Sequence, residues 1–168
     1  EAEAARYRFR GVTCGDVMTT HLITATPDMP LDRVVALFRA HPIKSLPVVS
    51  ASGRFRGLIL QSDLVAALLP QGAQPRPRRL TARHIMQPPA DAVPHDMPVG
   101  ELLNRLARQG VQTVPVTRQG RLAGVLTRSD ILGLLLEDAS DRNGAETAPT
   151  DHGRAPEKGP DTAFTKYS

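Results

Sequence analysis

This 168-residue chain has no tryptophan and only six other aromatic residues, two Tyr and four Phe. A core without large rings must be built from Leu, Val, Ile and Ala, and a hydrophobic content of 40% supplies enough of them. A single cysteine, Cys14, excludes an intramolecular disulfide and a multi-cysteine zinc centre, and points to a reducing setting. No base stands near it in sequence, so it reads as a buried spectator and not as a nucleophile. His21, His41, His84, His95 and His152 never fall at i, i+4 with a third ligand nearby, so no metal site is expected. No run of about twenty apolar residues is present, so this segment is not expected to span a membrane. There is also no phosphate-binding Gly-x-x-x-x-Gly-Lys-Thr loop, no Gly-x-Ser-x-Gly elbow and no Cys-x-x-Cys pair. Without a catalytic constellation, the chain is not expected to be an enzyme.

The formal net charge is +4, unevenly spread. Residues 1–136 hold 17 basic and 10 acidic residues, whereas 137–168 hold 4 and 7. A basic body attracts polyanions. Only Arg76-Pro77-Arg78-Arg79 forms a cluster, however, and no aromatic stacking pattern or recognition helix accompanies it, so nucleic acid is not an expected partner.

What the chain does have is the same passage written twice. The first copy runs from Asp16-Val17-Met18 through Leu46-Pro47-Val48-Val49 to Gly57-Leu58-Ile59-Leu60-Gln61-Ser62-Asp63-Leu64. The second reads His84-Ile85-Met86, then Val114-Pro115-Val116, and closes on Gly124-Val125-Leu126-Thr127-Arg128-Ser129-Asp130-Ile131. Between Met18 and Pro47 the copies keep an offset of 68, and Asp28-Met29-Pro30 recurs as Asp96-Met97-Pro98; one extra residue near Ala51-Ser52 lowers the offset to 67. Copies this close in register predict two similar units packed about a pseudo-two-fold axis.

Each copy spells the same elements. Thr19–Thr26 suits an extended segment, and Pro27, Asp28 and Pro30 supply turn and helix-start chemistry. Leu31, Val34, Val35 and Phe38 share one helical face, as do Val99, Leu102, Leu103 and Leu106. Leu46–Val49 and Phe55–Leu60, split by Ser50-Ala51-Ser52-Gly53, predict a hairpin, with Arg118-Gln119-Gly120 as its counterpart. Second helices follow over Leu64–Leu69 and Ile131–Leu136. The fold class is thus α/β in the α+β sense, β-α-β-β-α twice. The expected boundaries are a lead-in over 1–11, the first repeat over 12–69, a linker over 70–79, the second repeat over 80–137 and a disordered tail over 138–168.

These motifs, in this order in both copies, resemble the CBS domain, the regulatory module named after cystathionine β-synthase, used as a tandem pair. The resemblance covers about residues 12–136 and rests on the opening Asp-Val-Met-Thr, the central Leu-Pro-Val-Val and the closing Gly-h-h-Thr-x-x-Asp-h, where h is apolar. The wording from Arg8 to Met18 also resembles CBS tails of HPP-family integral membrane proteins. That second resemblance implies a cytoplasmic domain tethered to the inner membrane through a transmembrane part outside this sequence.

The family resemblance implies a cleft between the repeats that binds an adenosine-containing ligand, an adenine nucleotide or S-adenosylmethionine, at up to two sites. In the main site Asp130 would grip the ribose cis-diol, with Thr127 adding a hydroxyl and Arg128 a charge for phosphate. Phosphate would lie toward the helix amino terminus. The partner repeat would hold adenine with Ile23, Ala25, Ser45, Leu46 and Pro47, and Lys44 would serve phosphate. The second site would use Asp63 with Val93, Gln112, Thr113, Val114 and Pro115. It departs from the pattern because Leu60 replaces the Thr and Asp91 would repel phosphate, so weaker binding or none is expected there. Read from spacing alone, Asp63 and Asp130 also stand where helix caps belong.

Two functions stay open. One is a regulatory module that senses an adenosine ligand and controls an effector in the same parent chain; the other is a ligand-free module whose apolar helices dimerise the parent protein. A homodimer is expected in both. The residues leave open which ligand binds and whether magnesium accompanies it.

Overall fold

The computed structural model describes residues 9–70, 79–89, 91–109 and 113–145. The first repeat contains α1 (Cys14–Val17), α2 (Leu31–Ala40), β1 (Ser45–Val49), β2 (Phe55–Leu60) and α3 (Gln61–Leu68). The second contains α4 (Ala82–Ile85), β3 (Val93–Pro94), α5 (Val99–Gln109), β4 (Thr113–Arg118), β5 (Arg121–Thr127) and α6 (Arg128–Ala145). The antiparallel hairpin β1-β2 forms one sheet, and β3-β4-β5 the other, with β3 parallel to β4. The tight turn between β4 and β5 has Gln119 and Gly120 both at positive φ, 52° and 76°, the conformation that matches strand twist in a two-residue hairpin.

The two repeats repeat each other's bonds as well as each other's letters. Thr19 bridges Val125 and, at the matched positions, Gln87 bridges Leu58; Thr13 pairs with Pro98 as Pro30 pairs with Thr81. Arg54 and Arg121, themselves matched, bridge one another where the hairpins meet. These are the contacts of a pseudo-two-fold axis.

Each opening segment is exchanged onto the other repeat. The core built on Val34, Leu46, Val48 and Ile59 is completed by Ala82, with Ile85 and Met86 packed against it, all from the start of the second repeat. The core built on Val99, Leu102, Val116 and Leu126 takes Phe9 and Cys14, with Val12, Val17 and Met18 against it, from the start of the first. Backbone bonds fasten the exchange: Cys14 N–H donates to Met97 carbonyl at 2.8 Å, and Ala82 N–H to Met29 carbonyl at 2.8 Å. Met18 and Met86 thus fill apolar space, as expected from their matched positions, but they do so over Gly124 and Gly57 of the opposite repeat.

Three expectations are corrected. Thr19–Thr26 forms no continuous strand. Thr19 is bonded to the second repeat at Val125 and Ala25 to the first at Pro47 and Val49, so the chain between them crosses from one unit to the other. The second helices begin at Gln61 and Arg128, three residues before the predicted Leu64 and Ile131, because the closing motif itself forms the first turn. The last helix continues to Ala145, past the predicted end at Leu136 and into the stretch read as tail. Apolar periodicity stops near Leu136, which is why a pattern reading ends there, but no proline interrupts the helix before 145 and Ser140 Oγ bonds back to the Leu136 carbonyl at 3.1 Å. Most of the linker and residues 146–168 of the tail lie outside the described residues. The helices Cys14–Val17 and Ala82–Ile85, at four residues each, are too short to leave a periodic signal.

Candidate functional site

Four of the six helix starts share one device that also shapes the site. In each, the side chain three residues on reaches back to a backbone N–H at the start: Asp16 to Thr13 at 2.9 Å, Asp63 to Leu60 at 2.8 Å, His84 to Thr81 at 3.0 Å and Asp130 to Thr127 at 2.8 Å. Asp63 and Asp130 are therefore third-position residues that reach back to the helix start and not N-caps; Thr127 Oγ1 completes a capping box with Asp130, whereas the Leu60 side chain has no acceptor and leaves Asp63 with half of one. The bonds from the Thr13 backbone and side chain also hold the Asp16 carboxyl below its usual range.

Asp130 is the most heavily engaged of these carboxylates. Its Oδ2 accepts from Thr127 N–H and from Thr127 Oγ1 at 2.9 Å, while its Oδ1 accepts from Thr19 Oγ1 at 3.2 Å. Asp130 N–H in turn donates to Thr127 Oγ1 at 3.3 Å. A carboxylate offers about four acceptor positions, so roughly one is left, and a bidentate grip on a cis-diol requires a Thr19 or Thr127 hydroxyl to turn away. At the matched place Asp63 accepts from Gln87 Nε2 at 3.0 and 3.3 Å. Both aspartates are thus tied to the exchanged opening segment, Asp130 through Thr19 and Asp63 through Gln87.

Two clefts flank the axis. The first, of about 330 Å³, brings together Ile23, Lys44, Ser45 and Pro47 from the first repeat with Thr127 and Arg128 from the second, six of the nine residues expected for the main site. Ala25 and Leu46 are turned into the core at 1% and 0% exposure, and they shape the wall through the backbone: Ala25 N–H donates to the Pro47 carbonyl at 2.9 Å. Asp130 is not on the cleft wall; it is bonded to Thr127, which is. Sequence reasoning missed Thr19, His21 and Ser129, which also line this cleft. Thr19 closes the opening Asp-Val-Met-Thr motif, but nothing in the letters says that its hydroxyl reaches Asp130.

The second cleft, of about 460 Å³, is larger and includes Thr113 and Pro115, as expected, together with Asp91. Val93 and Val114 are buried in the core of the second repeat, Asp63 is bonded to Leu60 and off the wall, and Gln112 lies outside the described residues. Gln61, Gln87 and Pro89 line it without having been foreseen. Between the clefts, Ser45 Oγ donates to Thr113 Oγ1 at 3.3 Å; these two residues are 68 apart and so meet on the axis itself. Both volumes suit a nucleoside-sized ligand.

Cys14 takes no part in either cleft. It is fully buried, and burial pushes its thiol up to about 11. Among the described residues no group of three or more His, Cys, Asp or Glu could hold a metal ion, and no helix is long and apolar enough to cross a membrane.

The CBS domain family model matches residues 14–70 and 82–137. An uncharacterized protein of Methanopyrus kandleri is 32% identical over 124 residues, covering 73% of this chain; the chain spans 62% of that relative's length. A CBS domain-containing protein of Dictyostelium discoideum is 32% identical over 129 residues, covering 72% of this chain and 89% of its own. Among solved structures, the CBS domain of a CBS domain-containing membrane protein from Sphaerobacter thermophilus aligns with a TM-score of 0.64 at 28% identity, covering 79% of this chain and 93% of that one. CBSX2 in complex with AMP aligns at 0.67 and 23%, covering 76% and 98%. The CBS domain pair of protein MJ0100, in complex with 5′-methylthioadenosine and S-adenosyl-L-methionine, aligns at 0.62 and 24%, covering 75% and 97%.

Proposed function

This chain belongs to the CBS domain family, and we propose that it is a regulatory pair that binds an adenosine-containing ligand in the cleft between its repeats and passes the occupancy to an effector in the same parent chain. The observation that carries this reading is the convergence of Lys44 and Arg128, from opposite repeats, on a cleft that also presents Ser45 and Thr127 hydroxyls beside the apolar Ile23 and Pro47. Cations and hydroxyls suit phosphate and ribose; apolar faces suit a purine. The AMP in CBSX2 and the adenosyl ligands in MJ0100 support the same ligand class. Because the cleft is shared by two units, a ligand that prefers one of their arrangements shifts the balance between them, whereas equal affinity for both would shift nothing.

The effector is a membrane part of the parent chain. The wording of residues 8–18 and the membrane origin of the Sphaerobacter thermophilus relative support this attachment.

A second reading, dimerisation without a ligand, is favoured by one observation. Val65, Leu68 and Leu69 on or beside α3, and Leu132 and Leu136 on α6, are 42–58% exposed. Val65 matches Leu132, and Leu69 matches Leu136, so the two helices present equivalent apolar faces.

Thermal unfolding against AMP, ADP, ATP and S-adenosylmethionine, with and without magnesium, separates the two. Ligand at about a hundred times its dissociation constant adds about 2.7 kcal/mol of stability. A rise in melting temperature with one ligand, lost in Thr127→Leu, supports the sensor; no rise at millimolar ligand, together with a concentration-dependent melting temperature, supports the dimerisation module.

A further inference from the structure

One lysine lines both clefts. Lys44 is exposed in the loop before β1 and lines the first cleft together with Arg128 and the second together with Asp91. Its side chain has no hydrogen-bond or ion-pair partner among the described residues. The residue at its matched position is Gln112, so one lysine stands where two-fold symmetry would have supplied two.

In charge, the walls around it differ by two exchanges at matched positions. Arg128 in the first cleft is replaced by Gln61 in the second, and Ile23 by Asp91. Counting the wall residues, the first cleft holds two cations and no carboxylate, whereas the second holds Lys44 and Asp91, which cancel. Asp130 and Asp63 stand off the walls, one bonded at each cleft, and do not alter the contrast.

We propose that Lys44 couples the clefts: a phosphorylated adenine nucleotide in the Thr127–Arg128 cleft draws its ammonium and thereby prepares the Asp91 cleft for a cationic adenosine compound. This rests on the adenosine-ligand reading above and assigns each cleft its ligand class. An ammonium paired with a phosphate on one side no longer neutralises Asp91 on the other, so the second wall is left with a net negative charge beside Leu58, Leu60 and Phe55. A second phosphate would meet that carboxylate with the shared lysine already engaged. A sulfonium compound such as S-adenosylmethionine meets an opposite charge. The coupling is reciprocal: each ligand tightens the other by the same factor.

Calorimetric titration of the chain with AMP, S-adenosylmethionine and the uncharged 5′-methylthioadenosine tests this. One AMP is expected per chain, and saturating AMP is expected to tighten S-adenosylmethionine about fivefold or more, with 5′-methylthioadenosine little changed. Lys44→Gln installs the residue of the matched position and keeps the carbonyl that accepts from Gln61 N–H. In that variant, saturated with AMP, the tightening is expected to vanish, and Asp91→Asn is expected to weaken S-adenosylmethionine and the coupling together. Two AMP molecules of equal affinity, direct competition between AMP and S-adenosylmethionine, or coupling that survives Lys44→Gln would overturn the proposal while leaving the ligand reading intact. If none of the three compounds binds, the ligand reading itself falls and takes the proposal with it.

Discussion

The two clefts are built on the same backbone and lined by different chemistry. Around the first, Thr19, Ile23, Thr127 and Arg128 stand where the second has Gln87, Asp91, Leu60 and Gln61. The bonds that hold the frame are duplicated: the aspartate that accepts from the backbone N–H at each second helix start, the tie from that aspartate to the exchanged opening segment, and the bridges Thr19–Val125 and Gln87–Leu58. Backbone geometry is shared because it carries both cores. The wall residues that differ are free to diverge because each lines only its own cleft; Lys44 and Thr113 line both.

The frame is where substitutions should cost most. A Cβ on Gly124 would lie 2.6 Å from Met18 Sδ and 2.7 Å from the Thr19 carbonyl oxygen, and one on Gly57 would meet the Gln87 carbonyl and Met86. Gly124→Val and Gly57→Val should each destabilise the chain by about 1–3 kcal/mol, read by denaturant titration, since the obstacle is a backbone atom as well as a flexible side chain. Marked inequality between the two would break the symmetry of the frame.

Next in size is the wall. Arg128→Gln, which copies the second cleft, should weaken AMP about tenfold, the loss of one charge-assisted bond. The reverse pair, Gln61→Arg with Asp91→Ile, should create a second AMP site, visible as two molecules bound per chain in a calorimetric titration; persistence of one would mean that Leu60 for Thr127 is the deciding difference.

The two aspartates come third. Asp130→Ala should weaken AMP binding severalfold, because it frees both Thr127 and Thr19, whereas Asp63→Ala should lower stability by about 1 kcal/mol with much less effect on AMP. Equal losses of affinity would show that the clefts are ranked wrongly.

The smallest effect is at Cys14, whose matched residue is Ala82, also fully buried. The thiol is raised from 9.0 to about 11, so the unfolded chain loses its proton first as pH rises. Its contribution is therefore complete below about pH 9 and lost as pH climbs toward 11, by the linkage of proton binding to folding. Cys14→Ala should flatten that alkaline limb in melting experiments, and Cys14 should resist alkylation at pH 8 until the chain unfolds.

Much of this was readable from the letters. The offset of 68 located the repeat, the apolar faces of α2 and α5 located the first helices, and the turn residues located both hairpins. Of the main-site residues, Ile23, Lys44, Ser45, Pro47, Thr127 and Arg128 do line one cleft. Leu46 does not, because its neighbours Ser45 and Pro47 on the strand point to the opposite face, and Ala25 does not, because it is bonded beside β1 at Pro47 and Val49 and packed into the first core; motif membership does not say which face is the cleft. Thr19, His21 and Gln87 escaped notice because they lie in the crossing segments, which have no periodicity of their own.

The two units, their hairpins and first helices, their pseudo-symmetry and the residues by which their walls differ are written in the chain alone, since repeat register and hydrophobic period are properties of the letters. Only the tertiary structure decided that the opening segments change places, that Asp63 and Asp130 spend their oxygens on helix starts and on those segments, and that Lys44 stands between the clefts. Each of these depends on which distant residues meet, and the offset relates equivalent positions without saying which of them come into contact.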